Sequence, residues 1–479
     1  MNRYTLYASD YAKMDSNVIL GGGTDDTEAI QAVLDKALEW GRLHLIVDGA
    51  ALVKGLKVHS NTTIECMDKS CGFYLADHSD CAVLTNSNHT YNEIKTKNVT
   101  LIGGTYNHNC LHQAHDVPST NPDEACINMP EMYRQDETRH WTIALEFIGV
   151  ENLTVRDLVV RDQRTFAFTV GNFRHVYIEN VFFELDNEIL SGNQDGFHFW
   201  GPGQFLTVRN VGGKTQDDFM NIGPDERDGV SAITDVLVDG VFLNNAYQAI
   251  RLLSRGTGLL DRVTVRNIVG KYRCFGFYIN PWFISNQNGN FGNITFEHID
   301  VRSGENPYDG TDYSNPPFLF NIGGDIDSLT LRDIHWYQPY DSRDVFQIGY
   351  PYHLVERPFE VTPHIGTLLI DGFHVFQKDH AGDDTTYMKV RGEIDRLILR
   401  DVNIARPETA EGGCFLKTLP DADVKRLSLE RVMVEHMDTL LDLEKESVNA
   451  LILDQVLTEG VKNSCLGQAE QTIGTIREI

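Results

Sequence analysis

Three aspartates in residues 193–223, NQDGFHFWGPGQFLTVRNVGGKTQDDFMNIG, each stand just before a short apolar run. Asp195 precedes GFHFW, and the adjacent Asp217 and Asp218, 22 and 23 residues further on, precede FMNIG. Carboxyls gathered in one place can hydrolyse a glycosidic bond. One is protonated and gives its proton to the leaving oxygen, while another is ionised and activates water or attacks carbon. Crowding supplies the asymmetry, because neighbouring carboxylates repel and one pKa rises. The chemistry requires elements that bring residues 22 and 23 positions apart onto one face.

A recurring segment supplies them. It reads VENLTVRDLVV from Val150, FRHVYIENVFF from Phe173, QFLTVRNV from Gln204, ITDVLVDGVFL from Ile233, LDRVTVRNIVG from Leu260 and FGNITFEHIDV from Phe291. It continues from Ile326, Ile365, Ile394, Val424 and Val448, with starts 23 to 39 residues apart. Each copy alternates apolar and polar positions around an Asn, Asp or charged residue, which reads as two short half-buried strands joined by a tight bend. No amphipathic helix separates the copies, so a βαβ sheet is disfavoured and a parallel β-solenoid with loops of unequal length is expected. Equivalent positions of successive coils then stack at about 4.8 Å. Asp195 lies over Asp218, with Asp217 one residue earlier. The same alignment stacks His198, Asn221, Arg251 and Tyr278 into an outward polar ladder beside an inward row of Phe197, Met220, Ile250 and Phe277.

The front of the chain differs. GGGTDDTEAIQAVLDKALEWG, residues 21–41, carries Asp26 or Thr27 as an N-cap and Ala29, Ile30, Val33, Leu34, Ala37 and Leu38 at helical spacing, closed by Gly41. A helix there, within about residues 20–45, is expected to cover the open end of the solenoid core. A long insertion at about 105–140 contains His108, Cys110, His112, His115 and Cys126, whose spacing fits no structural zinc pattern. It is read as a cleft-wall loop, and Asp225, Glu226 and Asp228 as a solvated loop.

Lys and Arg total 41 against 69 Asp and Glu, a formal net charge of −28. Such a surface repels nucleic acid and anionic membrane, and disfavours a densely anionic polymer as substrate unless a local basic groove overrides it. No leader-like apolar segment opens the sequence and no run approaches about 18 apolar residues, so a cytoplasmic protein is expected, or a secreted one if a leader has been removed. The eight cysteines are sparse and unpatterned, and reduced thiols are expected.

GGGTDDTEAIQAVLDKA resembles the opening segment of pectin-lyase-fold right-handed parallel β-helices, and LIGGTYNHN resembles a Gly-Gly-Thr-x-Asp-Gly-type turn found further along. NQDGFHF and TQDDFMNIG resemble the Asn-Thr-Asp-Gly and Gly-Asp-Asp motifs of glycoside hydrolase family 28, the polygalacturonases. QAIRLLSRGTGLLDRVTVRNI, from Gln248, resembles that family's Gly-Ile-Arg-Ile-Lys segment and its continuation. Together these span roughly residues 20 to 300.

The resemblance implies an all-β, single-stranded right-handed parallel β-helix in one domain, residues 1–479, and an inverting hydrolase without cofactor or metal. Asp217 would be the general acid, Asp195 and Asp218 would hold and deprotonate the water, and Arg251 would hold the adjacent sugar. Asn193, His198, Trp200, Asn221, Tyr278 and Trp282 complete the candidate substrate-binding set. Trp200, Tyr278, Trp282 and Phe283 could stack on sugar faces or pack in the core. The sequence departs from the family at Leu253, which stands where the family has a lysine, and it lacks a Gly-His-Gly rung between Asp218 and Arg251. The expected substrate is therefore a plant or microbial oligosaccharide or polysaccharide bearing a neutral sugar, galactose-, rhamnose- or arabinose-like, rather than galacturonate. A polysaccharide lyase and a non-catalytic glycan-binding, phage-spike-like β-helix are the competing expectations, and homo-oligomerisation is left open.

Overall fold

A computed structural model of the chain describes residues 4–118, 139–189, 193–281, 288–304, 318–337, 344–350, 361–376 and 385–478. Trp282, Phe283 and the middle of the 105–140 insertion lie outside the described residues. The chain divides into two compact units, Met1–Phe242 and Leu243–Ile479.

Each unit is built of coils whose strands pair in parallel with the same element of the next coil. In the first unit Leu43–Val47 pairs with Thr62–Cys66, which pairs with Thr96–Ile102. The column continues through Leu145–Arg156, Phe168–Glu179 and Phe197–Gly213. In the second unit Leu259–Ile279, Asn290–Ser303, Asp325–Tyr337, His364–Phe376, Thr386–Ala405, Cys414–Glu435 and Val448–Glu459 pair in succession, all parallel. In-register parallel stacking of whole coils is a single-stranded parallel β-helix and not a β-sandwich, with the right-handed sense expected of parallel crossovers.

The tight bends of the sequence repeat are not breaks in the strands. The chain stays hydrogen-bonded through them with one residue in the left-handed region: Asn152 at φ 57°, Asn180 at 53°, Asn210 at 48°, Asn267 at 58°, Asp333 at 54° and Asp401 at 50°. Asn and Asp tolerate this backbone best. They also pair with each other along the column: Asn98 Nδ2 donates to Asn61 Oδ1 at 2.8 Å, and Asn152 Nδ2 to Asn98 Oδ1 at 2.9 Å. His298, Arg431 and Gln455 take the same conformation without that advantage.

Inward positions form continuous apolar columns. In the first unit Leu145, Phe168, Phe197 and Met220 follow one another, all fully buried. In the second, Phe277, Phe320 and Phe346 stack with ring centroids 4.8 and 5.3 Å apart, continued by Met388, Leu416 and Leu441.

The N-terminal helix forms as two pieces, Thr27–Leu34 and Lys36–Trp40, ended by Gly41 at φ 72°. Ile30, Val33, Leu34 and Ala37 are buried, while Leu38, expected on the apolar stripe, is 69% exposed. Asp26 does not cap the helix through its side chain. Its carboxylate accepts the backbone N–H groups of Lys13 and Met14 at 2.8 and 2.9 Å. The described ends of the 105–140 insertion, Asp116–Pro118 and Arg139–Trp141, form an antiparallel ribbon. Among the described residues the cysteines are thiols, and no helix is long and apolar enough to cross a membrane.

Candidate active site

The strand Phe197–Gly213 places the acids. On one side it pairs with Phe168–Glu179, setting Thr169 beside His198, and on the other with Asp218–Gly223, setting Asn221 beside His198 and Met220 beside Phe197. This offset puts Asp195 and Asp218 at equivalent points of adjacent coils. The backbone ties them further, since Gly196 N donates to Asp218 O at 2.8 Å and Ala167 N to Asp195 O at 3.0 Å. Gly196 is required there: a Cβ would lie 2.4 Å from Phe219 O and 2.5 Å from Phe183 Cε2.

The three aspartates differ in environment. Asp195 and Asp218 are 3% and 2% exposed, while Asp217 is half-buried. Asn193 Nδ2 lies 3.4 Å from Asp217 Oδ2. Burial, then the charges of Asp217 and Asp218, push the Asp195 carboxyl well above the usual carboxylate range, against a hydrogen bond to His198 that favours ionisation. Oδ1 of Asp195 and Oδ1 of Asn221 are shielded from solvent with no hydrogen-bond partner in the structure. Buried polar atoms are rarely left so, and ligands commonly satisfy them.

His198 joins this group to a fourth acid. Its Nδ1 is 3.1 Å from Asp195 Oδ2 and its Nε2 is 2.8 Å from Glu226 Oε2, which also accepts Trp200 Nε1–H at 3.1 Å. Burial disfavours the charged ring, but the Glu226 carboxylate and the bonds to both acids outweigh it, and the His198 pKa rises to about 9. The imidazolium donates from both nitrogens, and its ring lies flat on Phe166 at 4.1 Å.

This corrects two expectations. Asp225 and Glu226 are not a solvated loop: they are 1% and 9% exposed, because Gly223 is held beside Trp200 and the chain turns back over that rung. The ladder is polar but does not face solvent, since His198, Asn221 and Tyr278 are 3%, 1% and 0% exposed. Trp200 packs with Ile143, Ile148 and Phe166 and is 8% exposed, so its indole face is not an open platform.

The His198 column continues through Thr169 to Glu146. Glu146 is 5% exposed, with Oε2 3.2 Å from His89 Nε2 and 3.3 Å from His140 Nε2. Burial pushes its carboxyl up, but the two imidazoles prevail and hold it well below the usual range. The Arg227 guanidinium lies 3.2 Å from the Tyr91 ring centroid, and Tyr91 packs 6.2 Å from Trp200. Glu146, His89, His140, Arg227 and Phe166 escaped the sequence reading. Glu146 alone carried a signal, as a charged residue in the apolar run IALEFIGV. Among the described residues no group of three or more His, Cys, Asp or Glu is placed to hold a metal ion.

Arg251 and Tyr278 belong to the second unit. There the Arg251 guanidinium donates to Gln248 Oε1 at 2.7 Å and lies 5.0 Å from the Tyr278 ring, which packs against Phe275 and Phe318. Leu253 is fully buried, so it is a core residue and not a leucine exposed where a cation would meet substrate. Trp282 lies outside the described residues.

No protein-family model and no curated protein sequence matches this chain. Among solved structures it is similar to a polygalacturonase from Erwinia carotovora ssp. carotovora, at 11% identity and TM-score 0.49 over 85% of this chain and 95% of that one. It is also similar to a hyperthermoactive exopolygalacturonase from Thermotoga maritima, at 13% identity and TM-score 0.43 over 100% and 92%. The N-terminal fragment of bacteriophage phi29 gene product 12 is similar at 11% and 0.46 over 97% and 93%. Hydrolases and a phage protein thus stand together at low identity, and the choice of activity rests on this chain's own side chains.

Proposed function

We propose that this chain is a glycoside hydrolase, related to family 28, that cleaves an oligosaccharide or polysaccharide with inversion at the anomeric carbon. The observation carrying this reading is the acid cluster: Asp195 and Asp218 on adjacent rungs, Asp217 beside them, and His198 tying Asp195 to Glu226. A coil that needed only turn residues would not bury these acids with a charged histidine.

Burial and the neighbouring charges of Asp217 and Asp218 favour the protonated form of Asp195. With the resting proton on Asp195, its transfer to the half-exposed Asp217 leaves Asp195 ionised beside the His198 imidazolium. Asp217 then protonates the leaving oxygen as the glycosidic C–O bond breaks. Water attacks the anomeric carbon from the opposite face and gives its proton to Asp195 or Asp218. His198 stays charged throughout and steadies the negative charge on Asp195. Its bond to Glu226 fixes the ring.

A neutral sugar suits this site. Asp195, Asp217, Asp218 and Glu226 gather there in a chain of net charge −28, which penalises a uronate in contact with them. Incubation with a panel of neutral and uronic aryl glycosides and oligosaccharides, reading reducing ends and ultraviolet absorbance together, tests the proposal. Reducing ends without new absorbance support it. New absorbance from an unsaturated product would replace it with a lyase.

A further inference from the structure

In the second unit one outward column runs Asp300, His335, His374, Asn403, each paired with the next on successive parallel strands. The two imidazoles stand on adjacent rungs with ring centroids 5.0 Å apart and planes tilted by 42°. The column of left-handed bends beside them contributes Asp333, whose Oδ1 accepts from His335 Nε2 at 3.2 Å and whose Oδ2 accepts from His298 Nδ1 at 2.8 Å. Two rungs on, the bend aspartate Asp401 is held instead by Arg431, at 2.5 and 2.7 Å. Asp333 is thus the bend carboxylate that orients imidazoles.

The hydrogen bond from His298, helped by that from His335, holds the Asp333 carboxyl below its usual range against the effect of burial. An ionised carboxylate only accepts, so His335 carries a proton on Nε2 and its neutral ring keeps a bare lone pair on Nδ1. Burial, and then the neighbouring His335, lower the pKa of His374 and favour its neutral ring as well. A neutral imidazole backed by a carboxylate is the arrangement that fixes the tautomer and direction of histidine ligands to metals. Two imidazoles sharing one ion through nitrogens about 2.1 Å away, at about 90 to 110° to each other, have ring centroids about 4.5 to 5.2 Å apart. The His335–His374 separation of 5.0 Å falls in that range.

We infer that His335 and His374 bind a divalent transition-metal ion, copper(II) in preference to zinc, which clips the strands Asp325–Tyr337 and His364–Phe376 together. Imidazole nitrogen suits copper, nickel and zinc, whereas calcium and magnesium take oxygen ligands, and the affinity order of the divalent series puts copper first. Among the described residues no third His, Cys, Asp or Glu is placed to complete the set, so water fills the remaining positions. Asn403 Oδ1, on the rung after His374, is screened from solvent without a hydrogen-bond partner in the structure, and a metal-bound water satisfies such an acceptor. The chain's net charge of −28 favours a cation at its surface. The inference stands apart from the hydrolase reading, whose acids belong to the first unit, because it concerns binding and needs no turnover.

The test is calorimetric titration of the full chain with Cu²⁺, Zn²⁺ and Ca²⁺, beside H335Q/H374Q and Asp333→Asn. The wild type should bind one more Cu²⁺ than H335Q/H374Q, and bind it at least about tenfold more tightly than Zn²⁺, while Ca²⁺ binding should be the same in the two proteins. Asp333→Asn should weaken that copper site about tenfold or more, because the amide no longer fixes the His335 tautomer as a carboxylate does. Electron paramagnetic resonance of the wild-type copper complex should show coupling to two imidazole nitrogens, lost in H335Q/H374Q. All three proteins should share one thermal midpoint in the absence of metal. Equal copper stoichiometry in the wild type and H335Q/H374Q, a wild-type spectrum without nitrogen coupling, or an affinity unchanged by Asp333→Asn would overturn the inference.

Discussion

His198 and Glu226 meet Nε2 to Oε2 at 2.8 Å, 28 residues apart in sequence and both screened from solvent. The contact keeps a histidine charged in an interior where burial alone would neutralise it. That charge is what permits Asp195 to ionise when the cluster gives up its proton.

Glu226→Gln keeps the shape and the acceptor for Trp200 but removes the negative charge. The His198 ring, followed by its NMR shifts, should then titrate at least about one pH unit below its position near 9 in the wild type. Hydrolysis should fall roughly tenfold or more. An unmoved titration would show that Asp195 alone sustains the charge.

Stability should decline with rising pH. The folded pKa of His198, about 9, lies above its ordinary value of 6.5, so its contribution is fully present below about 6.5 and is lost as pH rises through about 9. Asp195 is also raised, so its contribution is present below the ordinary carboxylate range and lost above it. Thermal midpoints measured from pH 5 to 10 should fall across the His198 window, and His198→Gln should flatten that part of the curve. A rise through the window contradicts the network.

The aspartates should separate in stability while agreeing in activity. Asp195→Asn, Asp217→Asn and Asp218→Asn should each lower turnover roughly a hundredfold or more. Asp195→Asn removes a buried group repelled by its neighbours, so its midpoint should hold or rise at neutral pH. A midpoint several degrees below wild type would mean that Asp195 is held by favourable contacts as an anion.

The coils and bends were legible because a parallel solenoid repeats one local rule: alternation sets which side chains face inward, and Asn or Asp marks the left-handed residue. Asp195 over Asp218 followed from that register alone. The rest depended on what covers each column. Phe166 and Trp200 close over His198, and the chain after Gly223 folds back to bury Glu226, which looks like a polar loop in PDERDG. Leu253 shows the opposite limit. Matching it to a lysine position implied exposure, and the structure gives a core residue. The helix break at Asp35 had no signal in the apolar spacing, which runs on to Leu38.

Gly196 holds the coil carrying Asp195 against the next. Gly196→Ala would force a Cβ against Phe219 O and the Phe183 ring, so it should lower the thermal midpoint by several degrees and reduce soluble yield. A variant as stable as wild type would show that adjacent coils can spread to admit a methyl group, which close packing opposes.

The central claim is that the aspartate cluster breaks a glycosidic bond with inversion. The most direct measurement follows the first anomer released from a cleaved substrate by proton NMR, for the wild type and for Asp217→Asn at one pH. The account predicts the inverted anomer from the wild type and a rate at least about a hundredfold lower from Asp217→Asn. A retained anomer, or an Asp217→Asn protein with the wild-type rate, would contradict it.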